Sequence, residues 1–309
     1  MSRINRLLYL LFHDPMELVL RVLQQPWFPI SERSYLKLWY QHATGENLNL
    51  DNPQTYNDKL NWLKLYDRKP IYTTMVDKYE VKKYVADLIG EKYIIPCLGV
   101  WDSPKDIDFD SLPNQFVLKV THGGGNSGVI VCKDKAKLNK TTAIKKLSRC
   151  MTVDGSIGNK EWPYKNVKRR VIAEEYKEDS NTHELRDYKF FCFNGEPKIL
   201  FVASGRGTQA EPNFDFFDMD YNRLDLKSAH PLSDVEKLPE KPKSFNEMKM
   251  IATKLSQGLP QVRLDLYEVD GHVYFGEYTF FHWAGIGSFE PKEWELKLGD
   301  WIILPKKTV

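Results

Sequence analysis

The sequence predicts an α+β protein whose sheets are mostly antiparallel. Apolar residues recur at helical spacing within residues 7–89, and short β-rich runs separated by Gly, Pro and Asp follow from Tyr93. Two of these runs contain the turns Asn194-Gly195 and Asp270-Gly271, which are typical of antiparallel hairpins. The pattern therefore favours helices packed against antiparallel sheets.

The hydrophobic periodicity gives approximate bounds for each element. Helical stripes occupy residues 7–12 and 18–23, and residues 73–89 form an amphipathic helix that Gly90 would end. Two further helices are predicted at 133–149 and 245–257. The predicted strands cover residues 93–101, 115–122, 128–133, 171–176, 187–204, 213–220, 262–281 and 301–304.

Composition excludes several classes of protein. The chain has 309 residues, of which 42% are hydrophobic and 13% aromatic, so it folds around a substantial core. Forty-four Lys and Arg oppose 42 Asp and Glu, and this balance argues against nucleic acid as a partner. Four cysteines without a C-x-x-C pair predict neither a disulfide framework nor a structural zinc site, and favour the cytoplasm.

The N-terminal segment carries an apolar run that is too short to span a bilayer. Residues 7–12 are apolar, and His13 follows where a signal peptide would continue. Arg3, Arg6 and Arg21 flank the two helical stripes. We expect either a helical cap on the main domain or a surface helix that contacts the inner face of the membrane or partner enzymes.

A glycine-rich segment lies between two predicted strands, at residues 123–128. It matches G-x-G-x-x-G, but a β-branched run follows instead of a helix, and no acidic residue follows about 20 positions on. A P-loop is excluded because Val129 and Ile130 stand where Lys and Ser or Thr are required. The segment is either a tight glycine turn or a hairpin tip that covers nucleotide phosphates, with Lys119 on the entering strand.

A second hairpin, at residues 262–279, carries charged residues on one face. Period-two alternation places Arg263 and Asp265 together, and the turn brings Glu277 near Asp265. Two carboxylates in a cavity suit Mg²⁺ shared with nucleotide phosphates, and Arg263 could stabilise a transferring phosphoryl group. The alternative is an Arg–Glu cross-strand pair on a solvated sheet face.

Polar groups also end or begin three strands in the middle of the chain. Glu174-Glu175-Tyr176 ends one strand, Asp187-Tyr188-Lys189 begins the next, and Ser204-Gly205-Arg206 ends a third. Strand ends are places where a site can be assembled from separate parts of the chain.

The order of these groups resembles the ATP-grasp superfamily, and more narrowly the TupA-like ATP-grasp proteins of bacterial surface-polysaccharide clusters. The matching segments are residues 77–85, 117–128, 172–176, 187–195 and 275–287. The resemblance implies two α+β subdomains that clasp ATP. It divides the chain into an N-terminal helical extension (1–72), a glycine-loop subdomain with the region preceding it (73–173), and a C-terminal subdomain with the metal site (174–309).

The resemblance also implies a role for each site residue. Lys78 and Lys119 would contact the nucleotide phosphates, and Asp187, in preference to Glu184, would bind the ribose. The remaining roles fall into four sets. The phosphate-covering loop would be Gly123, Gly124, Gly125, Asn126, Ser127 and Gly128; the adenine hinge Glu174, Glu175 and Tyr176; the catalytic residues Arg206, Arg263 and Lys189; and the magnesium ligands Asp265, Glu277 and Thr279.

One position departs from the superfamily's pattern. The usual Glu-x-Asn of the metal strand is here Glu277-Tyr278-Thr279, so a hydroxyl group or a water must replace the amide oxygen. Aromatic residues follow this strand and either stack on sugar rings or pack in the core or a lid: Phe280, Phe281, Trp283, Phe289 and Trp294.

By resemblance, the implied enzyme is an ATP-dependent carboxylate–amine ligase with ATP and Mg²⁺ as cofactors. It would join an amino acid to a sugar acid of a capsule or O-antigen polysaccharide through an acylphosphate. Two alternatives remain open: a kinase of a glycan or lipid-linked sugar, and a nucleotide- or glycan-binding subunit without turnover.

Overall fold

Two antiparallel sheets form the framework of the molecule, in a computed structural model that describes residues 3–123, 127–205 and 211–308. The strands are β1 (Cys97–Trp101), β2 (Phe116–Val120), β3 (Val129–Cys132), β4 (Val171–Glu175), β5 (Asp187–Phe193), β6 (Glu196–Ser204), β7 (Asn213–Asp218), β8 (Gln261–Val269) and β9 (His272–Thr279). One sheet has the order β1-β4-β2-β3, and the other has the order β7-β6-β5-β8-β9. The predicted α+β class is confirmed.

Helices cover the sheets, and those before residue 90 precede every described strand in the chain. They are α1 (Arg3–His13), α2 (Pro15–Leu23), α3 (Glu32–Thr44), α4 (Tyr56–Tyr66), α5 (Ile71–Val76), α6 (Glu80–Ile89), α7 (Lys140–Met151), α8 (Gly155–Gly158), α9 (Phe245–Ser256) and α10 (Glu293–Asp300). A short 3₁₀ turn at Lys135–Lys137 precedes α7, so the basic helix begins later than the sequence predicts.

Each sheet has its own hydrophobic core. The four-stranded sheet packs against α7 through Leu118, Ala173 and Leu147. The five-stranded sheet shares a larger core with α3 to α6 and α9, in which Leu60 and Phe190 are fully buried. Helix α4 is thus part of the same core as the second sheet. The division of the chain at residues 72 and 173 stays a prediction.

The predicted helix at 73–89 is two helices, because Asp77 and Lys78 interrupt it. The Asp77 carboxylate accepts hydrogen bonds from the backbone N–H groups of Tyr79 and Glu80, which lie at the start of α6. The Lys78 N–H donates to the carbonyl of Thr121, 3.2 Å away, instead of continuing the helix. Amphipathic periodicity runs through both helices and does not reveal a break made by a distant strand.

The predicted strand at 301–304 is wrong, because side chains occupy its backbone groups. The carbonyl of Trp301 accepts from Asn194 Nδ2 at 2.7 Å, and the N–H of Ile303 donates to Asn194 Oδ1 at 3.2 Å. Lys59 Nζ donates to the carbonyl of Ile302 at 3.0 Å. The apolar run at 301–304 reflects burial against the core, since Ile302 is 2% exposed, and not sheet pairing.

The first two helices and the turn after them expose several large apolar side chains. These are Tyr9, Leu11, Phe12, Val19 and Val22 on the helices and Trp27 in the turn, each 45–78% exposed. Within the described ranges, no helix is both long and apolar enough to cross a bilayer. A contact of these helices with the membrane or with the polysaccharide-assembly machinery stays a prediction, and so does the alternative of a helical cap on the main domain.

Candidate active site

A narrow cleft between the two sheets brings together four of the charged residues that the sequence singled out, with one further lysine. Its charged lining consists of Lys78, Lys82, Lys119, Glu174 and Glu277. Its apolar lining consists of Val81, Ile94, Tyr267 and Phe275. Strands β2 and β4 supply one wall, and the β8–β9 hairpin supplies the other. Three lysines beside apolar surface can bind a group that is anionic at one end and flat at the other.

Lys78 reaches the cleft because of the break between α5 and α6. Its ammonium group donates to the carbonyl of Gly123 at the start of the glycine segment, and lies 3.6 Å from the Glu277 carboxylate. The break is held by Asp77, which forms an ion pair with Arg170 at 2.9 Å. One lysine therefore contacts both the glycine segment and the second hairpin, and its role in phosphate binding stays a prediction.

Lys119 and Lys82 share a single buried carboxylate. The two oxygens of Glu174 lie 2.5 Å from Lys119 Nζ and 2.6 Å from Lys82 Nζ. Burial alone would raise the pKa of Glu174, but the two ammonium groups outweigh it and lower the pKa to about 2. The sequence analysis missed Lys82 as a site residue. Its only signal was its position four residues after Lys78.

We expect the acid stability of the protein to depend on Glu174. Its pKa falls from 4.5 to about 2 on folding, so its stabilisation is present above pH 4.5 and is lost as the pH falls towards 2. The linked free energy is about 3 kcal/mol. Urea unfolding at pH 7, 4 and 3 should show the stability of wild type and Glu174→Gln converging at low pH. An exposed control, Glu293→Gln, should follow wild type, and parallel curves for Glu174→Gln would contradict the assignment.

Strands β2 and β3, which flank the glycine segment in the chain, pair in antiparallel fashion as the hairpin prediction requires. Lys119 pairs with Val129 across it, and the Val120 N–H donates to the Gly128 carbonyl at 3.1 Å. A Cβ atom on Gly128 would lie 2.3 Å from a Val120 methyl group, so only glycine fits there. Ser127 is exposed beside it. The predicted loop residues Gly124, Gly125 and Asn126 lie outside the described residues.

Below the cleft, Arg263, Asp265 and Lys189 form a buried charge cluster. Arg263 binds both oxygens of Asp265, with Nε to Oδ1 at 2.7 Å and Nη2 to Oδ2 at 2.8 Å. Lys189 on β5 lies opposite Asp265 on β8. It also donates to Asp265 Oδ2, and its ammonium group lies 3.4 Å from Asp187. Burial would raise the pKa of Asp265, but Arg263 and Lys189 hold it far below its usual range. The aspartate therefore stays ionised and fixes the guanidinium.

The remaining groups of Arg263 point to strand β9 and the turn after it. Its guanidinium donates to Thr279 Oγ1 at 2.9 Å and to His282 Nδ1 at 2.8 Å, and lies 3.5 Å from Glu277. Arg263 is 8% exposed and Asp265 is 1% exposed. The alternative of a cross-strand pair on a solvated sheet face is therefore wrong.

A β-bulge turns Glu277 toward Asp265. Asp265 pairs with Glu277 and Leu266 with Phe275, so Gly276 is the extra residue on β9. A Cβ atom on Gly276 would lie 2.8 Å from the Asp265 carbonyl oxygen, which excludes larger residues. The alternation pattern predicted that these carboxylates share a face, but it did not show the bulge that aligns them.

The predicted metal ligands have the chemistry that Mg²⁺ requires. Asp265 and Glu277 are paired across the hairpin, and Thr279 Oγ1 lies 3.5 Å from Glu277. Within residues 3–123, 127–205 and 211–308, no group of three or more His, Cys, Asp or Glu side chains is arranged to hold a metal. Both oxygens of Asp265 bond Arg263 or Lys189, so Glu277, which lines the cleft, is the more accessible carboxylate. Two carboxylates with a hydroxyl group have the oxygen chemistry of an Mg²⁺ site, since Mg²⁺ binds through one or two carboxylates together with substrate phosphates and water.

The other predicted residues have different surroundings. Asp187 lies in the buried cluster, whereas Glu184 lies 3.7 Å from Arg186 in the preceding loop. The N–H of Glu175 donates to the carbonyl of Pro96 at 3.1 Å, and Tyr176 donates its hydroxyl hydrogen to Glu178 at 2.8 Å. The ribose and adenine assignments stay predictions. Arg206 lies outside the described residues.

Two residues that the sequence analysis missed lie close to the charge cluster. The pKa of Tyr164 is raised well above its usual range by burial and by the carboxylates of Glu161 and Glu277. The pKa of Glu161 is itself raised by burial, although Lys64 and Arg263 oppose this. Both precede β4 in an irregular segment, where no periodicity marks them.

Comparison with known proteins identifies one family. A model of the TupA-like ATP-grasp family matches residues 58–303. No curated protein matches the chain. Similar solved structures include three D-alanine–D-alanine ligases. The enzyme from Helicobacter pylori is 14% identical, with 83% of this chain and 69% of that chain covered and a TM-score of 0.46. The enzyme from Coxiella burnetii is 14% identical, with 82% of this chain and 66% of that chain covered and a TM-score of 0.42. The enzyme from Bacillus anthracis is 18% identical, with 67% of this chain and 57% of that chain covered and a TM-score of 0.38. The match thus spans little more than half of the Bacillus anthracis enzyme.

Proposed function

The chain belongs to the TupA-like ATP-grasp family, and from this premise we propose that it is an ATP-dependent carboxylate–amine ligase. The observation that carries the proposal is the convergence of three lysines and Glu277 on one cleft, where Glu277 lies 3.5 Å from the guanidinium of the buried Arg263–Asp265 pair. Positively charged groups and ionised carboxylates in such a site suit phosphoryl transfer, in which positioning and charge stabilisation dominate catalysis.

In the proposed reaction, a substrate carboxylate attacks the γ-phosphorus of ATP, and ADP leaves. The amine nitrogen of the second substrate then attacks the carbonyl of the acylphosphate, loses a proton and displaces inorganic phosphate. The net products are an amide, ADP and phosphate. No side chain forms a covalent bond to the substrate in this sequence, which agrees with a site built from lysines, arginines and carboxylates.

The lysines would bind the nucleotide phosphates by exchanging partners. Lys119 and Lys82 now share Glu174, and Lys78 lies 3.6 Å from Glu277, so each ammonium group is already aimed into the cleft. Tyr267 and Phe275 offer aromatic surface for the flat adenine ring. When bound, Mg²⁺ on Asp265, Glu277 and Thr279 would neutralise phosphate charge.

Arg263 is the residue best placed to stabilise developing charge. Its contacts to Asp265, Thr279 and His282 fix the guanidinium before any substrate arrives, so little reorganisation is needed during reaction. Lys189, buried against Asp265, keeps that aspartate in place and is a positioning residue in this proposal.

We further propose that the amide joins an amino acid to a sugar acid of a bacterial capsule or O-antigen, with the sugar carboxylate as the activated group. The resemblance to the TupA-like proteins of surface-polysaccharide clusters supports this choice of substrates. We place the reaction in the cytoplasm, because it consumes ATP and the four cysteines are free thiols.

The decisive experiment measures ADP release with Mg·ATP and pairs of L-amino acids and uronic acid glycosides, followed by mass analysis. A ligase requires both substrates and gives a product lighter by one water than their sum. A kinase, the alternative, releases ADP with the sugar alone and gives a product heavier by one phosphoryl group. ATP binding without ADP release, even with lipid-linked acceptors, would overturn both and leave a binding subunit.

A further inference from the structure

The turn that follows β9 is held in an unusual backbone conformation. Trp283 and Ala284 have φ values of 47° and 53°, and Gly285 follows with a φ of 70°. Side chains other than glycine rarely occupy this left-handed region, and such residues cluster at functional sites. The strained turn begins directly after His282, which contacts Arg263.

Buried polar side chains of α4 hold this turn in place. The three side chains lie on one helical face, each is at most 2% exposed, and each donates to a carbonyl of the turn or the residues after it. The pairs are Asn57 with Gly287 at 2.7 Å, Asn61 with Gly285 at 2.8 Å, and Lys64 with Ala284 at 2.5 Å. Burying three polar groups is costly unless they are paired, so α4 is built to fix this turn.

Only one of the aromatic residues after β9 that were considered as sugar contacts is accessible. Four of them pack in the core with 3–9% exposure: Phe280, Phe281, Phe289 and Trp294. These four confirm the core alternative. Trp283, in contrast, is partly exposed, and the strained turn sets the direction of its ring.

Trp283 contacts two histidines, of which His282 bonds Arg263 and His230 lies beside Glu211. The indole ring stacks on His282, with centroids 5.4 Å apart, and His282 bonds Arg263. The rings of Trp283 and His230 lie 5.8 Å apart in an edge-to-face arrangement. His230 Nδ1 lies 3.0 Å from a carboxylate oxygen of Glu211. An aromatic face beside hydrogen-bonding groups at its edge is complementary to a pyranose, which has C–H groups on its faces and hydroxyl groups around its rim.

We propose that Trp283, His230 and Glu211 form the subsite for the sugar ring of the carboxylate substrate. The indole would stack on a C–H face of the pyranose, while His230 and Glu211 bind its hydroxyl groups. The sugar carboxylate would then extend past His282 toward Arg263. This assignment rests on the proposed function, since it takes the sugar acid as the substrate. The apolar wall near Tyr267 and Phe275 remains for the adenine.

The test is direct binding of sugar acids without turnover. Saturation-transfer NMR and calorimetry with D-glucuronate and D-galacturonate, in the presence of Mg²⁺ and a non-hydrolysable ATP analogue, should show binding to wild type. Trp283→Ala should weaken it at least tenfold, and Trp283→Phe no more than threefold, because a phenyl ring still stacks. His230→Ala, which leaves the strained turn unchanged, should also weaken it. The affinity of every variant for the ATP analogue should stay within twofold of that of wild type.

The matched control is Trp27→Ala, which removes a tryptophan that is 71% exposed in the turn between α2 and α3, and should bind like wild type. Equal sugar affinity in wild type, Trp283→Ala and His230→Ala would overturn the subsite, as would a wild type that binds neither sugar acid. Because no turnover is involved, a kinase could pass this test, whereas a ligase could fail it. The two proposals therefore fail separately.

Discussion

Replacing Lys119 with alanine is expected to lower the rate of ADP release from Mg·ATP at least about a thousandfold, because the phosphates lose a charge aimed at them. The protein should stay folded, since Lys82 remains 2.6 Å from Glu174 and keeps that carboxylate paired. Lys119 is only 20% exposed but lies at the cleft wall, so its removal leaves no cavity in the core. The rate of ADP release should fall strongly, whereas the melting temperature should stay close to that of wild type.

The measurement is a coupled ADP assay alongside thermal unfolding. A matched control is Lys133→Ala, a lysine on the same hairpin whose ammonium group pairs with Glu178 at the surface. We expect that control to retain wild-type turnover. Turnover of Lys119→Ala within tenfold of the control would show that Lys119 serves the fold through Glu174 and not the nucleotide.

Asp265→Asn is expected to destabilise the protein by about 3–5 kcal/mol, because it leaves two buried cations without their shared anion. Arg263 and Lys189 both bond this carboxylate, and the substitution hardly changes its volume, so packing contributes little. The melting temperature should fall by roughly 10 °C, and ADP release should be lost along with the fixed position of Arg263.

Urea unfolding at neutral pH measures this effect directly. Asp220→Asn, in the exposed turn after β7, is the control and should change stability by no more than about 0.5 kcal/mol. A fall of less than 1 kcal/mol for Asp265→Asn would show that the cluster tolerates a neutral partner. The comparison with Lys119→Ala separates two proposed layers of the site: the cleft lysines, which would bind phosphate, and the buried cluster that fixes Arg263.

The sequence alone predicted much of this fold and several residues of the candidate site. Asn194-Gly195 and Asp270-Gly271 marked hairpins because only a few residue types fit their turns. Alternation along β8 placed Arg263 and Asp265 on one face because side-chain direction in a strand is local. The glycine segment and Lys119 were found because a strand, a glycine run and a second strand lie adjacent in the chain.

The tertiary structure decided the features that depend on residues far apart in the chain. Glu174 pairs with Lys82 across 92 positions, and Lys64 holds the Ala284 carbonyl across 220. The break at Asp77 likewise follows from contacts of Asp77 with Arg170 and of Lys78 with Thr121. Local periodicity encodes which face of an element is buried, but not which element meets it. The sequence therefore determined the hairpins and their charged faces, and only packing determined how these faces, α4 and the turn at Trp283 come together.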